Sequence, residues 1–190
     1  YDVTNISNKL YTEKDFTFSG SAEVKGTDAG TYDMELKASD FANTNADFSK
    51  VKFVIVDGTL TISKREVTLT SATDSKEYDG TALTNDTVTV GGDGFVEGEG
   101  ATYKVTGTQT NVGKSKNTFT YELNGNTKAI NYTITTAEGE LEVTPVTDEV
   151  VVTITERSGT AKYDGKEHTV TGYDVTNISN KLYTEKDFTF

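Results

Sequence analysis

The stretch Tyr1-Asp2-Val3-Thr4-Asn5-Ile6-Ser7-Asn8-Lys9-Leu10-Tyr11-Thr12-Glu13-Lys14-Asp15-Phe16-Thr17-Phe18 recurs without a difference as residues 173–190 of a 190-residue chain. The sequence therefore has a period of 172 residues and reads as slightly more than one turn of a tandem array, a slice of something longer. No segment spells out a reaction.

A second, divergent repeat lies inside the long one. Tyr78-Asp79-Gly80 returns as Tyr163-Asp164-Gly165, 85 residues on. Asp28-Ala29-Gly30, followed by Tyr32 to Leu36, answers to Asn111-Val112-Gly113, followed by Thr120 to Leu123, with the glycines 83 apart. Gly58-Thr59-Leu60-Thr61-Ile62 answers to Gly139-Glu140-Leu141-Glu142-Val143 at 81. Small drifts in offset are what loop insertions do to modules of one fold, so two module types alternate. Residues 65–145 are a complete type B module, residues 1–64 the rear portion of type A, and residues 146–190 the front portion of the next type A.

Within 65–145 the apolar pattern alternates with period two, as strands with one buried face require. Val67, Leu69 and Ser71 share a face, as do Val88 with Val90, Tyr103 with Val105, and Phe119, Tyr121 and Leu123. Ile130, Tyr132 and Ile134 continue the series, and Leu141 with Val143 closes it. Type A reads alike: Val150, Val152 and Ile154 form its first strand, and Phe53 with Ile55, or Val51 with Val54, lie near its last hairpin. Residues 38–50 are either one short helical turn, capped by Ser39 or Asp40, or an ordered loop. Asp79-Gly80, Asp164-Gly165, Asp57-Gly58 and residues 91–94 mark turns. The expected fold is all-β: tandem small β-sandwich or β-sheet modules. Short joints, at 63–66 and at the lone Pro145, would stiffen them into an elongated rod.

Composition narrows the function classes. Cysteine is absent, which removes disulfide frameworks and thiol nucleophiles. A net charge of −12 repels nucleic acid and anionic lipid. No apolar run approaches the ~20 residues of a membrane helix, so neither a nucleic-acid partner nor membrane insertion is expected.

On these landmarks the chain resembles the YDG/MBG-type tandem repeats of large cell-surface, adhesin-like proteins of Gram-positive and other gut-associated bacteria. The residues that carry the likeness are 76–84 around Tyr78-Asp79-Gly80, 105–113, and Gly139-Glu140-Leu141-Glu142-Val143-Thr144-Pro145. Lys162 to Lys166 and Gly58 to Ile62 are the type A counterparts, which depart from the pattern at Lys166-Glu167-His168. The resemblance implies an extracellular, wall-attached array that binds a host protein or glycoprotein, such as mucin or immunoglobulin. A purely structural stalk displaying a distal adhesin is the alternative. Neighbouring repeats are the remaining expected partners, and neither enzymatic activity nor a cofactor is expected.

Candidate residues follow the same division. Tyr78, Asp79, Gly80, Tyr163, Asp164 and Gly165 read as structural turns in which glycine takes positive φ. The acidic loop 93–100 carries oxygen ligands without the spacing of a calcium loop. His168 is the only histidine and has no nucleophile motif beside it. Lysines such as Lys76 and asparagines such as Asn131 leave open the isopeptide cross-links of Gram-positive surface β-domains. Tyr11, Phe16, Phe18, Phe41 and Phe48 of type A read first as core; projecting instead from the long 38–50 segment, Phe41 or Phe48 is a candidate anchor for a protein partner.

Overall fold

Short runs of Thr, Val, Phe and Tyr between glycine-marked turns favour the pleated conformation, because branched and aromatic side chains pack well on a half-buried sheet face. In the computed structural model, which describes residues 1–189, these runs form fourteen short strands. They are β1 (Phe16–Phe18), β2 (Gly30–Asp33), β3 (Phe41–Asn43), β4 (Thr59–Ile62), β5 (Arg65–Ser71), β6 (Asp74–Glu77), β7 (Val88–Gly92), β8 (Ala101–Val105), β9 (Gly113–Lys116), β10 (Phe119–Leu123), β11 (Tyr132–Ala137), β12 (Glu140–Thr144), β13 (Val152–Glu156) and β14 (Tyr173–Ile178). Helical structure among the described residues is confined to single 3-10 turns, so the chain is all-β. Phe190, the last residue of the second copy of the duplicated stretch, lies outside the described residues.

The chain forms two compact units, one of Tyr1–Leu69, Val90–Thr102 and Tyr121–Thr136, the other of Thr70–Thr89, Tyr103–Thr120 and Ala137–Phe190. Two of the sheets have the strand orders β11-β5-β7 and β10-β8.

In the first unit β1 pairs antiparallel with β3, setting Phe18 opposite Phe41, and β2 pairs antiparallel with β4. The alternation in β5 places Val67 and Leu69 fully inside, joined by Tyr132 at the start of β11. Each such aliphatic side chain contributes roughly 1.5–3 kcal/mol relative to exposure.

The second unit holds a three-stranded sheet in which β12 runs parallel to β6 and antiparallel to β9. Leu141 and Val143 on β12 are fully buried and cluster with Leu83 and the ring of Tyr78. In the same unit β13 and β14 form an antiparallel pair that sets Val152 opposite Ile178 and Glu156 opposite Tyr173.

The registers of two ladders coincide. Gly30 faces Ile62 and Tyr32 faces Leu60 in β2–β4. Gly113 faces Val143 and Ser115 faces Leu141 in β9–β12. Glycine opens each strand against the last apolar residue of its partner.

The two copies of the duplicated stretch separate what the local sequence dictates from what a partner supplies. Thr12 and Asp15 close a capping box, with Thr12 N–H donating to Asp15 Oδ2 at 2.6 Å. Thr184 N–H likewise donates to Asp187 Oδ2 at 2.7 Å. Tyr11 stacks on Phe16 with ring centroids 6.4 Å apart, and Tyr183 on Phe188 at 6.2 Å. The six residues that open each copy differ: 173–178 form β14 against β13, whereas 1–6 have no ladder partner among the described residues.

Other segments depart from the sequence reading. Residues 38–50 become a 3-10 turn, Ala38–Asp40, followed by strand β3, with Lys37 in the capping position and its N–H donating to Asp40 Oδ2. Asp40 thus caps through its side chain from inside the turn. Ile130 sits in the turn Ala129–Asn131 and is exposed, so only Tyr132 and Ile134 of that trio occupy a strand. Residues 51–56 alternate with Phe53 and Ile55 on the covered side and Val54 exposed, so the Val51 with Val54 pairing does not hold, and they have no ladder partner among the described residues.

Candidate functional site

The two Tyr-Asp-Gly turns are built alike around an aspartate. Asp79 Oδ1 accepts from the Thr81 amide at 2.9 Å, and Asp164 Oδ1 from the Lys166 amide at 3.0 Å. Short aspartate side chains make this bond to the backbone two residues on, which closes the turn. Gly80 (φ +80°) and Gly165 (φ +73°) then occupy the left-handed region open to a residue without Cβ. Lys76 Nζ and Thr81 Oγ1 each add a 2.7 Å bond to Asp79 Oδ1. With the lysine foremost, these donors hold the Asp79 carboxyl well below the usual carboxylate range. His168 Nε2 lies 3.0 Å from Asp164 Oδ1 in the second turn. That turn has no serine or cysteine among the hydrogen-bond partners of the pair, and the contact closes the loop.

The tyrosines differ. Tyr78 packs on Leu83, Leu141 and Val143, while Tyr163 is 97% exposed.

Phe41 and Phe48 enter an aromatic cluster of residues 1–64. Strand β3 carries Phe41 within 6.0 Å of the rings of Tyr1, Phe16, Phe18 and Phe53, centroid to centroid. Phe48 meets Tyr11 edge to face at 5.2 Å, and Tyr11 donates its hydroxyl proton to the Asp15 carbonyl. Burial raises the Tyr11 pKa, with the Asp15 carboxylate adding to it. Beside this cluster an open groove of about 560 Å³ is lined by Ala38, Phe41, Asn43, Ser49, Val51, Lys52 and Phe53.

Two carboxylates of loop 93–100, Asp93 and Glu99, are engaged by the protein. Tyr132 Oη donates to Glu99 and accepts from the Val96 amide, and the Glu66 amide donates to Asp93 Oδ2. Burial, followed by the Glu99 hydrogen bond, raises the Tyr132 pKa. Among the described residues no cluster of three or more His, Asp or Glu side chains is arranged to hold a metal ion.

A contact that sequence reading missed lies in the first unit. Lys128 Nζ donates to Asp28 Oδ2 at 2.8 Å, Asn131 Nδ2 to Asp28 Oδ1 at 3.0 Å, and the Ala29 amide to Asn131 Oδ1 at 2.7 Å. The Lys128 and Asn131 bonds depress the Asp28 pKa. The same aspartate thus joins residues 1–64 to residues 65–145. Lys76 and Asn131, the pair raised for an isopeptide link, are committed to Asp79 and to Asp28 with Ala29 respectively.

No family model matches the chain, and no curated protein or solved structure matches it either.

Proposed function

We propose that the chain is a non-enzymatic repeat unit of a bacterial cell-surface, adhesin-like array, its β-modules serving as a spacer that carries binding domains outward from the wall. The observation that supports this reading is the coincident register of Gly30 against Ile62 and Gly113 against Val143. One ladder written twice, together with the 172-residue recurrence, is what duplication of a structural module produces. The Asp28 contact to Lys128 and Asn131 supplies a specific joint between adjacent modules, and repetition of such joints favours an elongated rod over tethered beads.

A second reading, a module that itself grips a host protein or glycoprotein, rests on the open groove beside Phe41, Val51 and Phe53. A lining of apolar side chains together with a lysine suits an acidic or glycosylated protein surface. Because Phe41 and Phe48 are each held against other rings, their truncation would damage the cluster as well as any interface. Lys52→Glu is the cleaner probe. The test is a pull-down of the chain against mucin, immunoglobulin and matrix proteins. The spacer reading expects no saturable binding; binding that Lys52→Glu weakens would establish the second reading in its place.

A further inference from the structure

Residues 146–172 leave exposed, and residues 1–64 leave uncovered, what their counterparts in 65–145 bury against each other. We propose that residues 146–172 of one copy of this chain dock on residues 1–64 of a second copy as an added strand and turn. The proposal rests on the repeat register given above and is independent of the spacer role.

The complete case shows what such docking buries. Tyr78 seals Leu83, Leu141 and Val143, and Leu141 and Val143 are at most 1% exposed. The counterparts are Tyr163, 97% exposed, and Leu60 and Ile62, which remain only half-buried on β4. Every residue of 153–172 is exposed. An exposed tyrosine beside a Gly turn and a half-covered apolar strand in the same molecule are complementary halves of one core.

The strands agree. In the complete case β5 is central in the order β11-β5-β7. By the repeat offsets, β13 corresponds to β5, β14 to β7, and residues 51–56 to β11. β13 pairs with β14 on one edge and has no second ladder partner among the described residues. Residues 51–56, Val-Lys-Phe-Val-Ile-Val, alternate in burial, with Val54 and Val56 exposed at 74% and 90%. Such an unpaired, branched edge is a template for strand addition. Adding the free edge of β13 from a second copy yields the order 51–56, β13, β14. The β13–β14 pairing is kept, and β14, which carries the same sequence as residues 1–6, takes their place, with its Tyr173 succeeding Tyr1 against Phe18 and Phe41. Charge favours the match: Lys50 precedes the acceptor strand and Lys52 lies on it, and Asp148, Glu149 and Glu156 flank or end the donor. Because donor and acceptor are different surfaces of one chain, the contact is head-to-tail.

The chain has no tryptophan, so Tyr163→Trp supplies a single fluorescent reporter. A dilute Tyr163→Trp chain is titrated with unlabelled chain. Docking predicts solvent-like emission at high dilution and a saturable blue shift as unlabelled chain is added. The shift should be lost with unlabelled Leu60→Asp, and weakened at least tenfold with Lys50→Glu/Lys52→Glu, whose exposed side chains leave the fold unaltered. Emission that stays solvent-like up to millimolar chain overturns the proposal. So does emission already blue at the highest dilution, or a shift that both acceptor variants retain. Because the acceptor strand shares Val51, Lys52 and Phe53 with the groove, the pull-down that judges the spacer role is run at a chain concentration below the docking midpoint, which keeps the two outcomes separate.

Discussion

Ser71 Oγ donates a 2.5 Å hydrogen bond to the carbonyl oxygen of Asn117 in the interior of the second unit. The Gly139 amide donates in turn to Ser71 Oγ at 3.0 Å, and Asn117 Nδ2 reaches the carbonyls of Ala72 and Asn85, each at 2.9 Å. Both side chains are almost wholly buried, at 2% and 0% exposure. A buried carbonyl whose donor is removed loses its compensation for leaving water.

Asn117→Ala should therefore cost about 3 kcal/mol or more, since it strands two carbonyls at once and leaves a void. Ser71→Ala, which strands one amide and one carbonyl behind a smaller change of volume, should cost about 1–2 kcal/mol. Urea unfolding of each variant measures the difference. Equal and small losses would show that the knot contributes little.

Asp79 makes stability depend on acid in a defined direction. Its folded pKa lies below the ordinary value because Lys76 and Thr81 bond the charged form, so the stabilisation is fully present above about pH 4. As pH falls below that, the unfolded state takes up the proton first and the contribution is progressively lost. Asp79→Asn should lower the midpoint at neutral pH and flatten the decline between about pH 4 and pH 2. Thermal melts across that range test it: an acid limb as steep as in the unaltered chain would assign the loss to other carboxylates.

The Asp28 joint predicts a local effect. Asn131→Ala removes the acceptor of the Ala29 amide, and Ala29 is 92% shielded, at 8% exposure. Hydrogen exchange at Ala29 should accelerate at least tenfold, while exchange of the β12 amides stays unchanged. Lys128→Ala, which removes only a surface ion pair, should have a much smaller effect, because exposed pairs contribute about 0–1 kcal/mol. Matching effects of the two substitutions would mean that the joint is held by charge alone.

The strands that sequence made plain were those with both a clean alternation and a partner. Val67, Leu69 and Ser71 are buried as the pattern of β5 requires, and Leu141 and Val143 likewise. Residues 51–56 carry an equally strong strand pattern, yet pairing needs a second strand, which alternation cannot report. The duplicated stretch makes the same point with one sequence: its Thr-Glu-Lys-Asp turn forms twice from local bonds, and its opening residues become a strand only beside β13. Asn117 escaped notice because a buried asparagine and a solvent-facing one look identical in sequence; its position at the head of an alternating strand was the sole clue. The Asp28 joint was illegible for a related reason, since 100 residues separate it from Lys128 and no periodic pattern connects them. Phe41 and Phe48 pack on other aromatic rings, as the core reading of type A's aromatics has it; what sequence left out is the one-turn 3-10 helix that leads Phe41 into β3.

One measurement bears most directly on the proposed repeat architecture, in which residues 146–190 and a following copy of residues 19–64 would make a single module. The chain carrying Tyr163→Trp is lengthened after Phe190 by a second copy of residues 19–64, and its emission is compared with that of the chain without the addition. A closed module predicts blue, buried emission at every dilution in the lengthened chain, with Tyr78→Trp as the buried reference. An indole that remains as solvent-exposed as it is without the added residues would contradict it.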